Sequence, residues 1–256
     1  MKILYLILAA EEFPYVQLRE DGLKTTWLTR LSDDDRAIHL LSNKSLGHSE
    51  NNRGAFLTFE GTKIDGKREL QDIFYEDEDS WTFPTFSGWD SILHKTLSAL
   101  NHALLESDFD FVVRTAPTSL WNPMELRRKL SLFGQSMSAF GTVREFSGRE
   151  YIEGSNIVIS REIAVKLVNN LHLFNFGLID DVAIGRVLTQ LDIPLIDWPR
   201  PRIERLWDFY DLRYGDFSRI YTFRCRSSSP YNEKVLNNEI RILKKLHKKL
   251  LKSSNY

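Results

Sequence analysis

One cysteine among 256 residues leaves Cys225 without a disulfide partner in its own chain, so nothing calls for an oxidising compartment. With no activating group in sight, Cys225 is expected to be a small buried hydrophobe. The chain has no glycine-rich phosphate loop of either common type, which sets aside a P-loop kinase and an ordinary dinucleotide site. It has no CxxC or HExxH for structural or hydrolytic zinc, and no GxSxG nucleophile elbow. A formal net charge of −1 gives no whole-molecule pull toward nucleic acid or an anionic membrane. Internal repeats and low-complexity tracts are missing as well. No apolar run reaches the roughly 20 residues of a bilayer span.

What is present is enough apolar sequence, 42% of residues, for one large core or at most two small ones. The opening run KILYLILAA has the length of a strand. Glu11 and Glu12 follow it at once, without a small-residue cleavage pattern, so it is read as a buried first strand. No signal peptide or transmembrane helix is expected, and the protein is expected to be soluble and cytoplasmic. Leu18, Leu23, Trp27 and Leu28 predict a helix next, and Ala37 to Leu41 a second strand. Residues 44 to 68 suggest a surface excursion or a short hairpin around Ala55 to Phe59. Trp89 to Glu106 is an amphipathic helix by the spacing of Ile92, Leu93, Thr96, Leu97, Leu100 and Leu104. Phe109 to Val113 reads as a third core strand, and Pro123 to Phe133 as a helix with proline in its first turn.

Strand alternating with helix argues for a parallel α/β sheet, with ligands at the carboxyl ends of its strands. After residue 140 the pattern is mixed: strand Ile157 to Ser160, helix Arg161 to Asn170, helix Asp180 to Leu191, and a short strand at Leu195 and Ile196. Charge is uneven along the chain. Glu76, Asp77, Glu78 and Asp79 sit mid-chain, while Lys244, Lys245, Lys248, Lys249 and Lys252 crowd the end. There NEKVLNNEIRILKKLHKKLLKSS forms an amphipathic helix, with Val235, Leu236, Ile240, Leu243, Leu246 and Leu250 as its stripe. Its lysines form a solvated face or a contact for a membrane surface or an anionic acceptor. In the aromatic segment RLWDFYDLRYGDF, Trp207 or Tyr210 is a candidate to stack on a sugar if it is not core.

The segment LIDDVAIGRVL places Asp180 and Asp181 at a helix start. Acidic residues there suit the helix dipole, and a carboxylate fixed at such a point can also take a proton from a hydroxyl. Asp180 is expected to be the cap and Asp181 the base. In GSNIVISREIAVKL, Gly154 turns into a strand whose Ser160 caps the following helix; small residues in that turn would let an acceptor approach the backbone.

In this order the pieces resemble the β1,3-galactosyltransferase and Fringe family of inverting glycosyltransferases. Arg19 followed by LKTTWL is similar to the family's basic-x-Thr-Trp opening, and WDSILHKTLSAL around Lys95 to the segment ahead of its metal motif. FDFVVRT is similar to the strand leading to that motif, EYIEGSNIVISREIAVKL to the acceptor-side glycine turn, and IDDVAIG to the acidic-Asp-Val-x-x-Gly signature. The resemblance spans roughly residues 3 to 200. It implies a GT-A-like nucleotide-diphospho-sugar transferase fold: a mixed, mostly parallel central sheet flanked by helices. Residues 1–225 would form the catalytic domain, with the basic helix of 226–256 packed on it. It implies Asp181 as catalytic base with Asp180 beside it. The nucleotide-sugar would meet Ala9, Arg19, Lys24, Trp27, Lys95, Arg114, Thr115 and Thr118, and the acceptor would meet Gly154, Ser155 and Asn156.

Two departures concern the metal of such enzymes. Where a DxD motif would follow the strand, this chain has Ala116-Pro117-Thr118, and no histidine occurs in IYTFRCR, where a late metal-binding one would lie. Asp108-Phe109-Asp110 has the right letters at the wrong end of its strand, Asp33-Asp34-Asp35 reads as a turn, and Asp77 and Asp79 lie in a loop. No metal ligands are assigned, and Mn²⁺ or Mg²⁺ stays open as a cofactor. Arg114, Arg224 and Arg226 are candidates to supply the missing positive charge, since arginine grips phosphate oxygens bidentately. For Arg224 and Arg226 a solvated strand edge is the other reading.

The expected function is transfer of a sugar from a nucleotide donor, a UDP-sugar by resemblance, to a glycan hydroxyl with inversion. The alternatives are a non-catalytic nucleotide-sugar- or glycan-binding relative, and a nucleic-acid-modifying transferase reaching phosphates through its basic tail. A stable nucleic-acid partner is not expected. The basic helix leaves peripheral membrane contact open.

Overall fold

A computed structural model describes residues 1–43, 70, 72–85, 91–133, 137–212, 217 and 219–253. The hairpin expected around Ala55 to Phe59 and the helix start expected at Trp89 lie outside them.

The run ILYLIL forms β1 (Ile3–Leu8), buried along nearly all its length. Its side chains alternate between two cores. Ile3, Tyr5 and Ile7 enter one with Leu18, Leu23 and Trp27; Leu4 and Leu6 enter the other, on the opposite side of the sheet. Strands β2 (Arg36–Ser42), β3 (Tyr75–Glu76), β4 (Ser80–Phe83), β5 (Phe111–Thr115) and β6 (Ser119–Trp121) follow in the first half. The second half adds β7 (Ala139–Gly141), β8 (Val143–Phe146), β9 (Arg149–Ile152), β10 (Asn156–Ser160), β11 (Leu195–Asp197) and β12 (Thr222–Arg224). The main sheet runs β11-β7-β10-β5-β1-β2-β4-β3. The pairs β11-β7, β5-β1, β1-β2 and β2-β4 are parallel, while β10 runs antiparallel to both β5 and β7. This is a mixed, mostly parallel sheet with helices on its faces. Two small ribbons, β6-β12 and β8-β9, stand apart from it.

The helices are α1 (Tyr15–Gln17), α2 (Ile92–Glu106), α3 (Pro123–Phe133), α4 (Arg161–Asn169), α5 (Asp180–Gln190), α6 (Leu206–Asp211) and α7 (Glu233–Ser253). Buried residues of α2, α4 and α5 fill the core below Leu4 and Leu6, and those of α7 fill the core above Tyr5. Ser160 caps α4 as expected, its hydroxyl accepting from the Ile163 N–H. In α7 the expected stripe is buried at Leu236, Ile240, Leu243, Leu246 and Leu250. Glu239 joins it, fully buried, accepting from the Ser227 N–H at 2.6 Å and the Tyr231 hydroxyl at 2.8 Å. No helix among the described residues is long and apolar enough to cross a membrane.

Three expectations need correcting. The segment after β1 is a series of tight turns, with α1 leading into a π-helical turn at Leu18–Leu23 and a 3-10 turn at Trp27–Arg30. There the Thr25 and Thr26 hydroxyls donate to the Asp21 and Gly22 carbonyls at 2.7 and 2.6 Å, and such local bonds compete with a regular helix. Second, Asp77 and Asp79 lie in a turn as expected, but that turn is flanked by β3 and β4, two strands that were not expected. Trp81 and Phe83 anchor β4 with no exposed surface, a signal diluted by the surrounding charges. Third, β5 starts at Phe111, two residues later than expected, so Arg114 and Thr115 belong to the strand.

Candidate functional site

Arg114 and Thr115 end β5 and point to opposite faces of the sheet, which divides the site in two. On the face of α2 and α5, the Arg114 guanidinium forms a buried ion pair with Asp180. Asp180 is therefore not the helix cap. Ile179 occupies that position, and the Asp180 carboxylate turns to the arginine. Asp181, half-buried beside it, accepts from the Gly154 N–H at 3.0 Å and from its neighbour Val182 N–H at 2.9 Å. Gly154 sits in a tight space that a side chain would enter only by moving Arg114. A Cβ there would lie 2.3 Å from Arg114 Nη1 and 3.2 Å from Asp181 Cβ. The glycine of IDDVAIG works alike: a Cβ on Gly185 would meet the Tyr151 Cβ at 2.6 Å, so its absence lets α5 lie against β9.

The electrostatics follow from crowding two carboxylates and two cations out of water. Burial, and then the Asp180 charge, push the Asp181 carboxyl up to about 6, against the pull of Arg114 and the Gly154 N–H. Burial also raises Asp180, with the Arg114 guanidinium working the other way. Lys95, buried at the start of α2, is brought down to about 8 by burial and then by Arg114; Asp180 and Glu12 oppose that shift. Burial thus raises both carboxyls, with Asp181 the more exposed of the two and Asp180 held against the Arg114 guanidinium.

On the other face the Ser155 carbonyl collects donors: Thr115 Oγ1 at 3.0 Å, Ser119 Oγ at 3.2 Å and Arg200 Nη1 at 3.4 Å. Arg200 also bonds the Ser155 hydroxyl and, at 2.6 Å, Glu153, which Arg144 holds at 3.0 Å. Asn156 is fully buried behind this loop, its side-chain amide 2.8 Å from the Tyr221 hydroxyl and 3.0 Å from Thr142 Oγ1. Ser119 lies opposite Arg224 in the β6-β12 ribbon, and the Thr118 carbonyl accepts from the Cys225 N–H at 2.7 Å. Arg224 is half-buried with its Nη1 orphaned, so it is not the solvated edge that was the alternative. Cys225 is buried and burial pushes its thiol up, as befits a hydrophobe.

The expected site residues are thus brought together unevenly. Lys95, Arg114, Asp180, Asp181 and Gly154 converge, as do Thr115, Ser155 and, through the ribbon, Thr118 and Arg224. Ala9 sits at the end of β1, its N–H donating to the Leu40 carbonyl. Trp27 has no exposed surface and packs 5.1 Å from the Tyr5 ring, so it shapes the floor rather than stacking on a ligand. Lys24 reaches Asp79, at 2.8 Å, in the turn entering β4, two strands from β1; Arg19 pairs with Glu20. Asn156 packs inside, where it can hold the acceptor-side turn but does not face a ligand. Arg200 and Glu153 were missed, because nothing in WPRPR places Arg200 beside a loop 45 residues earlier.

The place of the metal motif does not fit a cation. Ala116-Pro117-Thr118 offers no carboxylate, Asp79 is tied to Lys24, and Asp110 accepts from the Lys2 N–H at the amino end of β5. Among the described residues, no group of three or more His, Cys, Asp or Glu side chains gathers as a metal would need.

No protein-family model matches the chain, and no curated protein does. Among solved structures it is similar to the galactosyltransferase LgtC in complex with donor and acceptor sugar analogs. The identity is 12%, the coverage 97% of this chain and 95% of that one, and the TM-score 0.44. An active-site mutant of LgtC gives 12% identity, 96% and 95% coverage, and a TM-score of 0.43. At such distance the chemistry has to be read from this chain's own side chains.

Proposed function

We propose that the chain is a glycosyltransferase that moves a sugar from a nucleotide-sugar donor to a hydroxyl of a glycan acceptor, with inversion. The observation that carries this is Asp181: a partly exposed carboxylate at the carboxyl end of the sheet, fixed by two backbone N–H groups and ionised just below neutrality. A base of that strength suits proton removal from an alcohol as it attacks. Asp181 takes the acceptor proton, the acceptor oxygen bonds to the anomeric carbon, and the bond from that carbon to the phosphate oxygen breaks. The nucleoside diphosphate leaves with the electron pair. Asp180 and Arg114 are positioning residues that hold the α5 start against β5. Lys95, buried near Arg114 and Asp180, adds further positive charge beneath them. The resemblance to the β1,3-galactosyltransferase and Fringe enzymes favours a UDP-sugar, with residues 1–225 as the catalytic unit and α7 completing its core.

A hydrolysis and transfer screen with UDP-sugars tests the reading. Asp181→Asn is expected to bind donor normally and to lose about 10²–10⁴ in turnover. Near-normal turnover in Asp181→Asn removes this residue from the mechanism. Nucleotide binding without hydrolysis or transfer in the native chain turns the reading to a non-catalytic sugar-nucleotide binder, which the lack of a metal motif would suit.

A further inference from the structure

The charges around Asp181 are matched; those around Ser119 are not. Arg224 stands opposite Ser119 in an antiparallel pair, and such residues share a face of the ribbon. The Ser119 hydroxyl on that face points to the Ser155 carbonyl, the same oxygen that Arg200 reaches. Arg224 therefore lies on the ribbon face that meets the loop Arg200 reaches, near enough to feel the Arg200 charge. Arg226, two residues on, lies close enough that Tyr15, in the turn after β1, senses both its charge and that of Arg224.

Nearby anions do not balance this group. Glu153 is shared between Arg200 and Arg144, and Glu239 is buried under the Ser227 N–H and the Tyr231 hydroxyl. Among the described residues no ion pair reaches Arg224, and its Nη1 is buried without a hydrogen-bond partner. Burial, and then the guanidiniums of Arg200 and Arg226, push Arg224 down from its ordinary range. Arginine keeps its charge under such pressure, so the unmet demand is for an anion. An orphaned buried donor of this kind is costly unless something fills it.

We propose that Arg200, Arg224 and Arg226, gathered around Ser119 and the Ser155 carbonyl, form a metal-free binding site for a diphosphate. That the diphosphate belongs to a nucleotide donor rests on the transferase reading above. The site lies one residue along the chain from Gly154, whose N–H holds Asp181. Leaving-group charge and base are thus served by adjacent residues of one loop. Guanidinium forks bonding paired phosphate oxygens would take the role that a divalent cation has where a DxD motif is present.

Isothermal titration of the full chain in EDTA, with inorganic pyrophosphate, UDP and uridine, tests this. Pyrophosphate and UDP are expected to bind without metal, and uridine more weakly than UDP. Arg224→Gln is expected to weaken both diphosphates about tenfold or more, while Arg224→Lys retains part of the affinity. Arg241→Gln, on the exposed face of α7, is expected to change neither. Binding that appears only on adding Mn²⁺, or that survives Arg224→Gln unchanged, overturns the proposal. Should Arg224→Gln fail to fold, half-buried Arg226→Gln carries the same expectation. Turnover separates this from the parent reading. A chain that binds pyrophosphate through Arg224 but transfers no sugar keeps the site and loses the transferase. One that transfers sugar only with Mn²⁺, indifferent to Arg224→Gln, does the reverse.

Discussion

The two sides of the β5 terminus handle buried charge in opposite ways. Around Arg114, two cations and two carboxylates nearly cancel, and glycine at position 154 lets them crowd together. Around Arg224, arginine is added to arginine, and no carboxylate among the described residues pairs with it. A buried nitrogen without a partner, Nε of Arg114 and Nη1 of Arg224, is common to both sides. A balanced cluster holds its geometry in the absence of ligand, as a catalytic carboxylate needs. An unbalanced one is complete only when an anion arrives. The proposed base and the proposed diphosphate site are thus separated by a single loop, Glu153 to Asn156.

The largest effect expected from breaking the balanced side is on catalysis. Gly154→Ala would drive a methyl into Arg114 and displace Asp181, and a misplacement near 1 Å costs about 10² in turnover. Steady-state kinetics, with pyrophosphate binding as control, would read a loss confined to turnover if the two sides are separable. Next is stability. Arg114→Met leaves the buried Asp180 charge without its partner and should cost about 3–5 kcal/mol in denaturant unfolding. Adding Asp180→Leu to it should recover much of that loss but little activity.

The third prediction concerns pH. Asp181 carries a folded value of about 6 against an ordinary carboxyl near 3.8, so turnover should fall as pH drops through 6. Asp180→Asn removes a charge that raises Asp181 and frees Arg114 to lower it, so the acid limb of the rate profile should move to lower pH. The sign for stability is the reverse of the usual carboxylate case. A raised value means the ionised form costs stability above pH 6, and the cost vanishes below about 4, where folded and unfolded states are both protonated. Asp181→Asn should therefore melt higher than the native chain at pH 7 and at the same temperature near pH 3.5.

Smaller still, Gly185→Ala presses α5 against Tyr151 and is expected to cost about 1–3 kcal/mol. Smallest is Lys24→Ala. Its ion pair with Asp79 is partly solvated on both sides, so a change under about 1 kcal/mol is expected.

These sites were legible to different degrees. The α5 start could be read because one helix supplies both carboxylates and the glycine, and spacing along a helix is local. The capping role given to Asp180 failed because its carboxylate had a choice the letters do not show, between its own helix end and an arginine 66 residues away. The strands β3 and β4 were hidden by the acidic turn joining them, and the helix expected after β1 gave way to threonine hydroxyls competing for its carbonyls. Arg200 left no trace in the sequence at all. Its partners lie on a loop it meets only after β11 pairs with β7.

Apolar runs and helical stripes, by themselves, determined the alternation of strands and helices, the buried first strand and the amphipathic last helix, because burial repeats with the period of each element. The identity of Asp181 as the exposed member of its pair, and the gathering of Arg200 with Arg224, were decided only by the tertiary structure. Charge acts through space, and which charges meet depends on strand order rather than on neighbours in the chain.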